Sequence, residues 1–172
     1  GGGDPMTTTP TALGQTLARL VWESFTDFIE TAPVGVSTGP DGDTLPDLVP
    51  EELLILFLWV HTRACQQALG SRVRPETLKA TLDALHRTVL EDMEAHGAAR
   101  EALPLFEQRI SARYSEYYAA ADRGEARIGE IAARRVSGKR TTDPAFRAAL
   151  AEATIAAAGP LRDYLDEIEL QH

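Results

Sequence analysis

Hydrophobic residues recur along most of this chain at spacings of three and four, the period of helices with one buried face. Prolines at first-turn positions and glycines at likely ends divide the pattern into segments. Segment 50–69 differs because its middle, Leu53–Val60, is apolar all round, which is typical of a helix surrounded by others. The pattern predicts an all-α, single-domain bundle of about six or seven helices with a buried central helix at 50–69. The predicted helices lie near 11–31, 50–69, 75–96, 100–123, 125–137, 144–158 and 160–170.

The ends and two interior segments lack this pattern. Gly1–Pro5, ahead of Met6, resembles an expression scar, and a threonine-rich lead follows it. We therefore predict a scar and disordered lead over 1–10 and one helical domain over 11–172. Residues 32–49 and 137–142 are predicted to be loops, the second of them basic.

Composition narrows the class of protein. The 172 residues are 44% hydrophobic, as expected of one globular domain with its own core. The longest apolar run, Leu53–Val60, is far shorter than the roughly 20 residues that cross a bilayer. The single cysteine, Cys65, excludes an internal disulfide and is predicted to be a small buried apolar group. With no signal peptide recognisable, we expect a cytoplasmic protein that makes no membrane contact.

Charge is distributed unevenly along the chain. The net charge is −9, which argues against non-specific binding of nucleic acid by the protein as a whole. Residues 1–61 hold nine acids and one base, a net charge of −8, whereas residues 109–147 hold nine bases and five acids, a net charge of +4. Opposed patches of this kind steer association, so they favour a protein that contacts itself or a partner.

Three of the four tyrosines lie close to two arginines in segment 109–118. Arg109, Arg113 and Tyr117 share a helical face, and Tyr114 follows Arg113. These residue types dominate interface hot spots, and arginine also recognises anions in a pocket. The alternative is that the aromatic rings pack inward while the polar ends reach water.

His61 is a second candidate because it lies on the most apolar helix. A buried imidazole needs a hydrogen-bond partner, which is ordinarily a backbone carbonyl or a tyrosine hydroxyl. A ligand contact or a general base is the functional alternative. The sequence thus offers a small-molecule or metal-dependent activity in an inter-helix pocket near His61, Arg113 and Tyr114 as a second hypothesis.

A basic patch forms the third candidate. Its residues have the chemistry to contact phosphates, but acidic residues interrupt the run and no helix-turn-helix pattern accompanies it. A salt-bridged face is the alternative, and we do not expect nucleic acid to be the main partner. The patch consists of Arg123, Arg127, Arg134, Arg135, Lys139 and Arg140.

Metal and nucleotide motifs fail on this sequence. A calcium-loop spacing of acids begins at Asp41 and ends at Glu52, but Pro46 occupies the position that needs glycine. The intervening acids are Asp43 and Asp47. A di-metal bundle needs two Glu-x-x-His motifs, and only a single aspartate variant ending at His86 is present. There is no phosphate loop, dinucleotide fingerprint or nucleophile elbow, so we expect no metal and no cofactor.

The leading hypothesis is therefore a non-enzymatic interaction or regulatory protein that forms homodimers. Nucleic-acid binding through 123–140 is the third hypothesis. The sequence identifies neither the partner nor the pathway.

Overall fold

The computed structural model describes residues 6–31, 48–138 and 143–171. Over these residues the chain forms six α-helices, which confirms the predicted all-α bundle. A single 3₁₀ turn, Arg100–Ala102, precedes the fourth helix, and a three-residue strand lies at each end of the described chain. The elements are β1 (Met6–Thr8), α1 (Pro10–Thr31), α2 (Pro50–Leu69), α3 (Pro75–Ala95), α4 (Leu103–Arg123), α5 (Glu125–Ser137), α6 (Pro144–Glu167) and β2 (Ile168–Leu170).

Helix α2 is the centre of the bundle, as predicted. Every residue from Glu52 to Thr62 is buried, because the other five helices all pack on it. Helix α1 also packs closely against α3, while α5 packs against both α4 and α6. The predicted burial of Cys65 is confirmed, and burial raises the pKa of its thiol to about 12.

The positions of proline and glycine in the sequence predict most helix ends correctly. Proline occupies the first turn of α2, α3, α4 and α6. Gly97, Gly124 and Gly138 have positive φ values of 103°, 126° and 71°, which other residues adopt at a cost. Gly70 follows α2 with φ −57°, an ordinary helical value, so this helix ends without a left-handed glycine.

Helix α6 runs unbroken through Pro160, so our prediction of separate helices at 144–158 and 160–170 is wrong. An interior proline removes one backbone donor and crowds the preceding turn, at a cost of about 3 kcal/mol. Helix α6 packs against α2 and α5, and the burial of Leu150 before the proline and of Leu161 and Leu165 after it offsets that cost. The helix begins at Asp143, whose carboxylate accepts a hydrogen bond from the Ala145 amide at 2.8 Å.

The two termini form a small parallel ladder, in which Met6 pairs with Ile168 and Thr8 with Leu170. Residues 6–10, part of the lead over 1–10 that the sequence predicts to be disordered, contain β1 and the first residue of α1. Two buried side chains, Ile168 and Leu170, hold β2 against the core and so position β1. A three-residue strand has too short a pattern to be recognised in sequence.

Some predictions fall outside the described residues. These are the scar at 1–5, the loop over 32–47 with its acids Asp41, Asp43 and Asp47, and the basic loop residues Lys139 and Arg140. Among the described helices, none is long and apolar enough to cross a membrane.

Candidate functional site

A groove separates α1 from α6. Both helices pack on α2, but they make few contacts with each other. Two cavities of about 360 and 610 Å³ lie between them, and both are lined by Ser24 and Asp27 of α1 and by Ala156 and Ala157 of α6. Because they share these walls, the two cavities are halves of one continuous groove, which we call the α1–α6 groove.

The floor of the groove comes from the central helix. Phe57 lines the smaller half and His61 the larger half, one helical turn apart on the same face of α2. The phenylalanine ring lies 6.4 Å from the ring of Phe28, and Phe28 in turn lies 6.2 Å from Phe146. The smaller half is therefore apolar at its base, and His61 supplies a polar group to the base of the larger half.

The imidazole of His61 is only 2% exposed, and its orientation is fixed by a backbone contact. Its Nδ1 lies 2.7 Å from the carbonyl oxygen of Phe57, one turn earlier. Since a carbonyl only accepts, Nδ1 must carry the proton, and the neutral ring presents Nε2 as a bare acceptor. Burial lowers the pKa of His61, although the hydrogen bond to Phe57 opposes this shift. None of the described residues donates a hydrogen bond to Nε2.

Small side chains form the α6 wall. Ala149, Ala153, Ala156 and Ala157 face the groove, so this wall fills little of the space towards α1. Pro160 also lines the larger half and has no amide hydrogen, which deprives the carbonyl of Ala156 of its usual helical donor. The wall thus combines an apolar surface with a backbone carbonyl that lacks its helical donor, and it also carries the carboxylate of Glu152 and the hydroxyl of Tyr164.

The α1 wall is acidic. Glu23 and Asp27 line the larger half of the groove, and each is exposed to water at its outer edge. The one cation of this lining is Arg19, which lies one helical turn before Glu23. Its Nε is 3.9 Å from Oε1 of Glu23, and both side chains of this ion pair are exposed. Towards the terminal ladder, the lining ends at Met6 of β1 and Tyr164 of α6.

The predicted arginine–tyrosine face is engaged within the chain rather than in the groove. Arg113 donates from Nε to both carboxylate oxygens of Glu52, at 3.1 and 2.9 Å, and from Nη1 to Glu116 at 3.3 Å. Arg109 pairs with Glu51 and lies 3.9 Å from Glu52. Hydrogen bonding to Glu52 is the main cause that raises the pKa of Arg113. These contacts tie α4 to the N-terminus of α2, where acids are favoured by the helix dipole.

Tyr117 is buried beneath this ion-pair cluster. Its ring lies 5.2 Å from that of Trp59, and its hydroxyl and the Trp59 indole nitrogen have no partner among the described residues. Burial is the main cause that raises the pKa of Tyr117, and the nearby carboxylate of Glu52 adds to the effect. Tyr117 therefore packs inward together with its hydroxyl, whereas the sequence alternative had the ring inward and the polar end in water.

Tyr114 belongs to a separate polar contact between α3 and α4. Its hydroxyl lies 2.7 Å from Nε2 of His86, whose Nδ1 lies 2.6 Å from the Leu82 carbonyl. The second nitrogen of His86 thus accepts from Tyr114, and both nitrogens are satisfied. The structure does not bring the three predicted residues together: His61 lines the groove, Arg113 contacts Glu52, and Tyr114 contacts His86 and Thr62.

The basic patch is only partly paired. Arg135 binds Glu116, with Nε at 3.1 Å, and Arg127 binds Glu130 at 2.8 Å. Arg123 and Arg134 are exposed and form no ion pair with any other described residue. The role of this patch in binding is not tested by these contacts.

Sequence reasoning identified His61 but missed the walls of its groove. Asp27 and Ser24 flank the buried face of α1, and nothing in their spacing sets them apart from ordinary surface residues. The alanine content of α6 was the one available signal. Within the described ranges, no group of three or more histidine, cysteine or acidic side chains is arranged to hold a metal ion.

Comparisons with known proteins give no family. No protein-family model matches the chain, and no similar protein was found among the curated proteins or the solved structures.

Proposed function

We propose that the protein binds a small amphipathic molecule in the α1–α6 groove, with the polar head of the molecule at His61. The observation that carries this proposal is the imidazole itself, which is buried to 98% yet presents an acceptor nitrogen that no described residue satisfies. A ligand with a donor group in the groove would give this nitrogen a hydrogen-bond partner.

The dimensions and lining of the groove suit such a ligand. The larger half, at about 610 Å³, lies within the range on the order of 300–1,000 Å³ that is common for small-molecule sites. Lining residues of α1 run from Thr16 to Thr31, a helical length of about 22 Å. The apolar surface of Phe57 and the α6 alanines suits a hydrocarbon body, and His61 suits its head.

A titration with three eight-carbon probes tests the proposal. We expect 1-octanol, n-octylammonium or octanoate to shift the backbone amide NMR signals of Ser24, His61 and Ala157 in a saturable way. Native mass spectrometry of the freshly purified protein, repeated after denaturation, would detect any molecule of this size that is retained from the cell.

A matched pair of variants on α6 separates the groove from general surface binding. Ala157→Leu places a larger side chain in the groove and should abolish the shifts, whereas Ala148→Leu lies on an exposed position outside the lining and should preserve them. If none of the three probes binds, or if Ala157→Leu leaves binding intact, the groove is not a ligand site.

The other hypotheses have less support. Arg109, Arg113 and Glu116 satisfy one another and α2 within one chain, so the face that motivated self-association is already occupied by internal contacts. Homodimer formation and a cytoplasmic location stay predictions. Nucleic-acid binding also stays a prediction, with Arg123 and Arg134 as its remaining candidates.

A further inference from the structure

The polar lining of the larger half of the groove holds several acceptors and carries a net negative charge, since its acids Glu23 and Asp27 outnumber Arg19. His61 presents an acceptor nitrogen, Glu23 and Asp27 present carboxylates, and the carbonyl of Ala156 lacks its helical donor because of Pro160. We propose, building on the proposed function, that the groove selects a ligand whose apolar body carries a protonated amine, with the ammonium group donating to Nε2 of His61.

The ammonium group fits this lining in both hydrogen bonding and charge. It offers three donors and accepts nothing, so it matches a neutral imidazole acceptor and a carbonyl oxygen together. Its positive charge is opposite to that of Glu23 and Asp27 on the α1 wall. The carboxylates are exposed, so their contribution is modest and sensitive to salt.

An anionic head fits poorly. A carboxylate needs donors. The hydroxyls of the lining can supply them, but Nε2 of His61 can donate only if the ring is protonated, which burial opposes by lowering its pKa. The only cation of the lining, Arg19, already faces the carboxylate of Glu23. The two acids would also repel an anion.

A hydroxyl head is the intermediate case. It can donate to His61, but it gains nothing from the carboxylates on the α1 wall. The hydroxyls of Thr16, Ser24 and Tyr164 can serve such a head as well as an amine, so they do not discriminate. The inference therefore predicts an order of affinity in which n-octylammonium binds best, 1-octanol follows and octanoate is weakest.

Titration calorimetry of the full chain with the three probes at neutral pH and low salt tests this order. We expect n-octylammonium to bind roughly tenfold more tightly than 1-octanol, since two exposed carboxylates each contribute a few-fold. Raising the salt concentration to about 1 M should reduce that preference and leave 1-octanol binding unchanged. Nitrogen NMR should show the Nε2 signal of His61 moving when n-octylammonium is added.

Two substitutions on α1 provide the matched comparison. Asp27→Asn removes a carboxylate of the groove and should weaken the binding of n-octylammonium by about three- to fivefold, while the binding of 1-octanol stays unchanged. Glu30→Gln removes an exposed carboxylate of the same helix outside the lining and should change neither affinity.

The outcomes separate this inference from the proposed function. If 1-octanol or octanoate binds as tightly as n-octylammonium or more tightly, and Ala157→Leu abolishes that binding, the amine selectivity is overturned and the groove stays a ligand site. Equal weakening by Asp27→Asn and Glu30→Gln also overturns it, because the effect would then follow net charge. Failure of all three probes overturns both.

Discussion

Substitution of Arg113 by methionine should destabilise the fold far more than an average loss of a surface ion pair. The change keeps the aliphatic stem and removes the guanidinium that binds both oxygens of Glu52. Glu52 is 5% exposed, and after the substitution its only remaining cation is Arg109, at 3.9 Å. A buried carboxylate is then left without its hydrogen-bonded partner.

The expected magnitude follows from burial. Removing one partner of a fully buried ion pair costs about 3–5 kcal/mol. The side chain of Arg113 is 16% exposed, and the first turn of α2 stabilises a negative charge, so both factors reduce the cost. We expect Arg113→Met to lower the free energy of unfolding by about 2–3 kcal/mol.

A double-mutant cycle isolates the pair. Replacing Glu52 by glutamine together with Arg113→Met removes the stranded charge, and the pair of changes should cost only about 1 kcal/mol. Arg135→Met is the control, because the Arg135 side chain is 42% exposed in its pair with Glu116 and should cost less than about 1 kcal/mol. Urea unfolding followed by circular dichroism measures the wild type, Arg113→Met, Glu52→Gln, the double variant and Arg135→Met. If Arg113→Met costs no more than Arg135→Met, the reasoning from burial is refuted.

Two further predictions concern packing and pH. Gly14→Ala should lower the free energy of unfolding by about 1–3 kcal/mol, because its new Cβ would lie 2.5 Å from that of Ala84. The new Cβ of Gly129→Ala meets nothing within 4 Å, so this variant should raise the free energy of unfolding by about 0.5–1 kcal/mol. Urea unfolding compares the two variants, and equal effects would contradict the close approach of α1 and α3. Burial lowers the folded-state pKa of His61 and His86, so as pH falls the unfolded chain protonates these two imidazoles before the folded chain does. The free energy of unfolding should therefore fall as pH drops below about 6.5 and level off below the folded-state pKa values. Imidazole NMR titration checks the shifts directly, and a pKa at or above 6.5 for both rings would contradict them.

The helical bundle could be predicted from sequence because the signals that start and end each helix are local. Proline at the first turn and glycine with positive φ at the end act through backbone sterics alone, so they need no knowledge of distant residues. Pro160 shows the limit of that argument. It carries the same local signal as Pro144, but tertiary packing of α6 on α2 outweighs its preference for a helix start.

Side-chain partners were less predictable, because they depend on residues that are distant in sequence. Spacing correctly put Arg109, Arg113 and Tyr117 on one face of α4, but it could not show that Glu52 lies opposite, 61 residues from Arg113 along the chain. The α1–α6 groove depends on the separation of the first and last helices, which no local pattern encodes. Its one component visible in sequence was His61, through its place on an apolar helix.

The two buried histidines differ at their second ring nitrogen. His86 has both nitrogens satisfied, by Leu82 and Tyr114, so its role is explained by structure alone. His61 repeats the backbone bond but has no described donor at Nε2. In the proposed function, a ligand that donates to Nε2 accounts for an imidazole at this position, and the groove is the route by which it would reach His61.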